Sequence, residues 1–375
     1  MKNYKKFTLG FIGAAILATG LWACNNDDIT KETEQNQTYM TVNTVNAGIA
    51  SMYIDNGIAS ESSSNILVFD SKQILEETID QMTQQYDDYN ETLDEQIPAD
   101  LTDDELEDYI NAHNLNEDYT LDNFEMNLGF KSLRKIIHEK ELIWLETQGE
   151  QMDINTDPDN HFIVSDFERT LLNEGSEIII KDENNVPVIH KYFEWGHIEI
   201  LDFNTEVLKE INIQQISDPQ VLENYSSKIK IFDKNKDGLI ITGCRKSGKS
   251  VNYYYFDNRQ IKAFTSQNVG LFDKTLVAKT KGYRWKKGKW KNAKLWIHAG
   301  VTGLNRGNWK VHHQCADEIV GAPHWKDEKR YKLEYRLKNP NPISMYARNN
   351  NVYSYHSEGG TSFFVDYYDY QAIQW

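Results

Sequence analysis

Residues 243–250 spell Gly-Cys-Arg-Lys-Ser-Gly-Lys-Ser, a full match to G-x-x-x-x-G-K-S. That pattern binds nucleotide when a glycine-rich loop aims backbone amides at phosphates from a helix N-terminus, with Lys and Ser serving the γ-phosphate and Mg²⁺. Residues 251–256 (VNYYYF) follow, a β-branched and aromatic run that predicts a strand where the motif needs a helix. A turn between two strands is the expectation, with no nucleotide as partner. Asp233, Asn235 and Asp237, followed by Gly238, match the first half of a calcium-binding loop, in which alternating oxygen ligands suit a hard cation. The twelfth position, which should be a bidentate Glu, is Cys244. Asp, Asn and Gly also make ordinary turns, so calcium is a candidate cofactor here and no other is expected.

Other oxygen and imidazole clusters carry less. Asp153, Asn155, Asp157 and Asp159 alternate, but Pro158 interrupts them and no Gly supplies the sharp turn, so an acidic solvated loop is expected. His312, His313, Cys315 and His324 include ligand types that suit Zn²⁺. Adjacent histidines on a strand point to opposite faces, however, which argues against one shared ion. His138-Glu139 opens a zinc-protease motif that fails at Leu142.

Residues 281–298 (KGYRWKKGKWKNAKLWIH) place Tyr283, Trp285, Trp290 and Trp296 among closely spaced lysines. Aromatic faces with cationic neighbours stack on sugars, bases or peptide side chains. This makes the four aromatics candidate ligand-binding residues. The competing reading is a β-hairpin whose aromatics are core and whose lysines form a solvated face. A third is that the acidic part of the chain covers this basic face, within or between chains.

The elements that must position these residues divide by charge. The chain has 375 residues, with 40 Lys+Arg and 57 Asp+Glu, a formal net charge of −17. A mean hydropathy of −0.65 excludes a polytopic membrane protein, and a 39% hydrophobic content excludes wholesale disorder. Residues 25–227 hold 45 acidic and 10 basic side chains, whereas residues 228–375 hold 12 and 27. The sign change predicts a domain boundary near 227.

The acidic half, residues 61–227, reads as α+β. A short strand at 65–69 precedes a helix with Leu75, Ile79, Met82, Tyr86 and Leu93 at helical spacing. Thr102 with Glu105, Ser165 with Glu168, and Ser132 mark further helix starts. Gly175 reads as a helix stop, and residues 177–181 and 188–192 as a hairpin. The basic half, residues 228–375, reads as an antiparallel all-β domain, a sandwich or barrel, with strands at 228–232, 239–242, 251–256, 276–283, 295–301, 331–337 and 362–368.

The N-terminus reads as an address. Three lysines in residues 1–6 precede an apolar run at 7–21, which is a signal-peptide length. The run ends in Leu21-Trp22-Ala23-Cys24, which resembles the lipobox of bacterial lipoproteins. The resemblance implies cleavage of residues 1–23 and lipidation of Cys24 by a palmitate-type anchor. Residues 24–60 begin as a polar, acidic tether, similar to the export region of surface lipoproteins of Bacteroidota. Residues 123–134 (NFEMNLGFKSLR) and 169–175 (RTLLNEG) also resemble uncharacterised Bacteroidota lipoproteins that carry a domain of unknown function. That likeness implies an outer-membrane or cell-surface location and brings no functional residues. In such an oxidising compartment Cys244 and Cys315 form a disulfide or remain two buried thiols.

The expectation is therefore a lipid-anchored, non-enzymatic binding protein, with a glycan or acidic polymer as ligand and no nucleic acid. The alternatives are an extracellular hydrolase using Asp366 or Asp369 with histidines, and an assembly lipoprotein that docks a protein partner.

Overall fold

The computed structural model describes residues 37–44, 48–55, 66–126, 128, 130–233, 244–245, 248–270, 273–303, 309–310, 319–320, 324–338, 347–348, 352–358 and 369–372. The fold is α+β. Cys24, Asn235, Asp237, Cys315 and Asp366 lie outside the described residues, as do the expected strands at 239–242 and 362–368.

The first sheet has seven strands in sequence order: β1 (Gln37–Thr44), β2 (Gly48–Asp55), β3 (Ile66–Phe69), β4 (Glu177–Lys181), β5 (Pro187–Phe193), β6 (Gly196–Ile200) and β7 (Ile229–Asp233). All neighbours are antiparallel except β3 and β4, whose parallel pairing sets Val68 beside Ile179. A parallel pair needs a crossover, and here it carries five helices: α1 (Lys72–Glu95), α2 (Asp103–His113), α3 (Tyr119–Met126), α4 (Leu133–Thr147) and α5 (Asp166–Leu171). The residues of β3, ILVF, are buried on both faces. Leu67 and Phe69 join a core with Leu75, Ile79 and Met82 of α1. Ile66 and Val68 join another under α6 (Thr205–Ile213), and α7 (Pro219–Leu222) adds Leu222 to it. The strand expected at 228–232 is β7, paired with β6 in this sheet.

Helix starts follow the sequence closely. The Ser71 hydroxyl accepts from the Ile74 amide, Ser132 from Lys135, and Thr102 with Glu105 completes a capping box. Ser165 departs from expectation: it occupies the N-cap of α5 without a side-chain cap bond. The Glu334 carboxylate, from the far half of the chain, accepts from the Asp166 amide at 3.1 Å instead. α5 ends at Leu171, four residues before Gly175.

The basic half forms two packed sheets. One joins β9 (Gly248–Phe256), β10 (Arg259–Gly270), β11 (Asp273–Lys286) and β12 (Lys289–Asn292), with β17 (Lys332–Lys338) sharing the β12 edge of β11. The other has the order β16 (His324–Arg330), β13 (Leu295–Gly303), β19 (Val352–Glu358) and β20 (Asp369–Ala372). Two-residue ladders pair β8 (Cys244–Arg245) with β18 (Ala347–Arg348) and β14 (Trp309–Lys310) with β15 (Ile319–Val320). Ile261, Leu333, Leu295, Ile297 and Ala299 fill the space between the two larger sheets, which gives a sandwich arrangement and no closed barrel among the described residues.

Candidate functional site

Strand alternation puts residues of one parity on one face. On β11 this face carries Val277, Lys279, Lys281 and Tyr283, and the register aligns Lys262 of β10, Lys281 of β11 and Lys332 of β17 in one row. Three lysines side by side repel one another, so the row requires counter-charge. The acidic helical half provides it. Lys262 meets Asp157 at 2.5 Å and Asp159 at 3.1 Å. Lys281 holds Glu141 at 2.5 Å and Asp159 at 3.2 Å. Lys332 holds Asp118 at 2.9 Å and Asp166 at 2.6 Å. In the next row Lys279 lies 3.3 Å from both Asp159 and Asp166.

Arg134 and Arg169 complete the lattice from the helical side, Arg134 on Asp118, Asp122 and Glu125, and Arg169 on Asp159 and Asp166. Burial raises Asp118, but Lys332 and Arg134 together outweigh it and hold the carboxyl well below its ordinary value. For Asp159 the same penalty is overcome by Lys262, Lys279 and Lys281, and for Asp166 by Lys279 and Lys332. Burial and Arg169 pull Lys279 down, whereas Asp159 and Glu141 overcome burial to raise Lys281. A cavity of about 10 Å³ remains inside the lattice, close to the minimum for one water. Every cation of the rows is already paired, so the lattice binds the two halves together and leaves no charge for a ligand.

Two expectations are corrected here. Asp157 and Asp159 are not a solvated loop; they are buried counter-ions. Lys281, the first lysine of the 281–298 stretch, is not on a solvated face, because it is buried under the acidic half, as is Lys279 beside it. The covering of the basic face is made within the chain.

The four candidate aromatics separate. Tyr283 is fully buried and donates to Glu141 at 2.8 Å. Trp290 is buried and donates its indole N–H to the Gly149 carbonyl at 2.9 Å. Both pack with Trp144, Leu145 and Met152, so neither offers a ring face to solvent. Trp285 is half-buried and meets Trp290 edge-on, with ring centroids 5.4 Å apart. Trp296 is half-buried on β13. Asp233 closes β7, and Cys244 stands in β8, paired with Arg348. Gly248 opens a strand, where a phosphate-binding loop needs a helix.

A cleft of about 330 Å³ opens beside the lattice, between α2 and the β11–β12 hairpin. Its floor is apolar, from Leu93, Ile97, Leu106, Ile110, Leu115 and Leu295. Arg284, Lys286, Lys291 and Lys294 line the sheet side, and Asp103, Glu107 and Glu117 the helical side. Ion pairs span both ends: Lys286 reaches Asp104 and Glu107 at 2.8 Å each, and Lys294 reaches Glu117 at 2.8 Å. The Arg284 guanidinium pairs with Asp104 through one terminal nitrogen at 3.0 Å, yet its Nε has no protein acceptor. The Asn292 side-chain oxygen, also on the cleft wall, has no protein donor. A buried donor and acceptor without partners cost free energy unless a bound group meets them. Within residues 281–298, Arg284, Lys286, Lys291, Asn292 and Lys294 thus line the cleft, while Lys281 belongs to the lattice and Tyr283 and Trp290 serve the core.

No family model matches the chain, and no curated protein matches it. Among solved structures, it is similar to a crystal structure of a DUF4848 family protein from Bacteroides thetaiotaomicron, at 11% identity. The match covers 79% of this chain and 93% of that one, with a TM-score of 0.19.

Proposed function

We propose that the chain is a lipid-anchored, extracytoplasmic binding protein, held to the outer membrane or cell surface through Cys24, whose cleft takes a short segment of an acidic glycan. The observation that carries this reading is the cleft's lining, an apolar floor under a rim of Arg284, Lys286, Lys291 and Lys294, in which Arg284 Nε and Asn292 Oδ1 each lack a protein partner. Sugar hydroxyls donate and accept at once, which suits a rim of mixed donors and acceptors, and the C–H face of a ring suits Leu106 and Ile110. A uronate or sulfate would add charge-assisted bonds to Arg284. The volume lies at the small end of ligand sites, ~300–1,000 Å³, which favours a short segment. The anchor and location rest on the lipobox-like residues 21–24 and the polar tether.

Affinity electrophoresis through gels that contain acidic or neutral polysaccharides, at two salt concentrations, tests this. Retardation is expected in acidic gels and persists in part at high salt. Arg284→Gln or Asn292→Ala should weaken it by ~10–100-fold, the worth of one or two hydrogen bonds to a charged group. Retardation in no gel, or retardation that both variants retain, overturns the assignment.

A further inference from the structure

We infer that His190, His197 and Glu199, on the β5–β6 hairpin, form a Zn²⁺ site that shares no residue with the cleft. Their ligand atoms all lie within 4.8 Å of one another. Register explains the convergence. His190 is cross-strand from Glu199, and His197 precedes Glu199 by two residues on the same face. An equilateral triangle of that side has its centre about 2.8 Å from each corner, so shifts of about 0.7 Å bring Zn–N and Zn–O to the usual ~2.0–2.2 Å.

The surroundings already orient the ligands. Tyr192, His197 and Phe232 form one row across β5, β6 and β7. The His197 ring stacks on Phe232 at 4.4 Å and on Tyr192 at 5.4 Å, which fixes its plane. In the adjacent row, Glu199 directs one oxygen toward His190 Nδ1 at 3.9 Å and the other toward Lys230 at 3.8 Å. His190 is 4% exposed, and its Nδ1 is a buried atom without a hydrogen-bond partner. A buried imidazole nitrogen normally has a partner; a metal ion supplies one. Two imidazoles and one carboxylate are a borderline donor set that suits Zn²⁺ and leaves a fourth, open position. The Lys230 side chain is 62% exposed, so its ammonium can swing away from a bound dication.

Calorimetric titration of the purified, metal-free protein with Zn²⁺ tests the site, with Co²⁺ absorption to report tetrahedral nitrogen and oxygen ligation. One equivalent should bind and raise the thermal midpoint. His197→Ala and Glu199→Gln should each abolish that equivalent and the midpoint rise. Because the histidines elsewhere in the chain can also take up metal, His138→Ala serves as control and should leave binding unchanged. His197→Gln, with circular dichroism to show it folded, separates loss of a ligand from loss of the fold. Absence of binding, or binding that persists in folded His197→Gln, overturns the inference.

Discussion

The Lys281 ammonium lies 2.6 and 2.5 Å from the two carboxylate oxygens of Glu141, 140 residues earlier in the chain. Each residue comes from the half whose charge it typifies, and each is buried. Glu141 also accepts from Tyr283, so its carboxylate is fully engaged on the face of a sheet. The pair joins α4 to β11 and belongs to a lattice of four lysines, two arginines and their acids.

Breaking this pair should be costly, and replacing it should not. Lys281→Met leaves Glu141 charged, buried and short of its cation, a change of ~3–5 kcal/mol in unfolding free energy. The double variant Lys281→Met with Glu141→Leu should recover most of that loss, since apolar substitutes for a buried pair are often near neutral. Urea unfolding of wild type, both single variants and the double variant checks this. Additive losses would show that the two charges are not coupled.

Stability should depend on pH at both extremes. Asp118, Asp159 and Asp166 sit below their ordinary values, so as pH falls the unfolded chain takes up protons first. Their contribution is complete above the unfolded value of ~3.9 and is lost below it. Burial raises Glu117 and Glu334, which softens the acid loss. Lys281 and Lys332 are raised; their contribution is complete below ~10.4 and is lost as pH rises through their folded values. Lys279, pulled down, opposes that loss. Burial holds the His190 imidazole down to about 3, so in the metal-free protein its contribution is complete above the unfolded value of ~6.5 and is lost below it. Urea midpoints should therefore stay level between about pH 7 and 9 and fall on both sides. A midpoint that falls steadily from pH 9 to pH 7 would contradict the lattice.

The cleft should be separable from the fold. Ile110 is half-buried on the cleft floor. Ile110→Trp fills that space and should remove retention in an acidic polysaccharide gel while the thermal midpoint moves little. Unchanged retention would place the ligand elsewhere.

Much of the acidic half was legible. The stripe Leu75, Ile79, Met82, Tyr86, Leu93 is the buried face of α1, and Thr102 with Glu105 is a capping box. The lattice was harder to see, because lysines alternating along a strand, as Lys279 and Lys281 do, normally mark water. Here they are buried, and Ala278 and Thr280 are buried as well, on the side of the second sheet. Both faces of β11 are covered, and hydrophobicity alone cannot report that a charge is matched by acids more than 100 residues away. The His190–Glu199 convergence had no motif to reveal it, since it depends on the register of β5 against β6.

The lattice also has a consequence in time. Asp159 is synthesised 173 residues before Lys332, which at ~5–20 residues per second is a delay of about 10–35 s. During that delay residues 25–227, with 45 acidic and 10 basic side chains, carry a large excess of negative charge. Self-repulsion works against compaction of such a segment. The lattice can close only once β10, β11 and β17 have arrived.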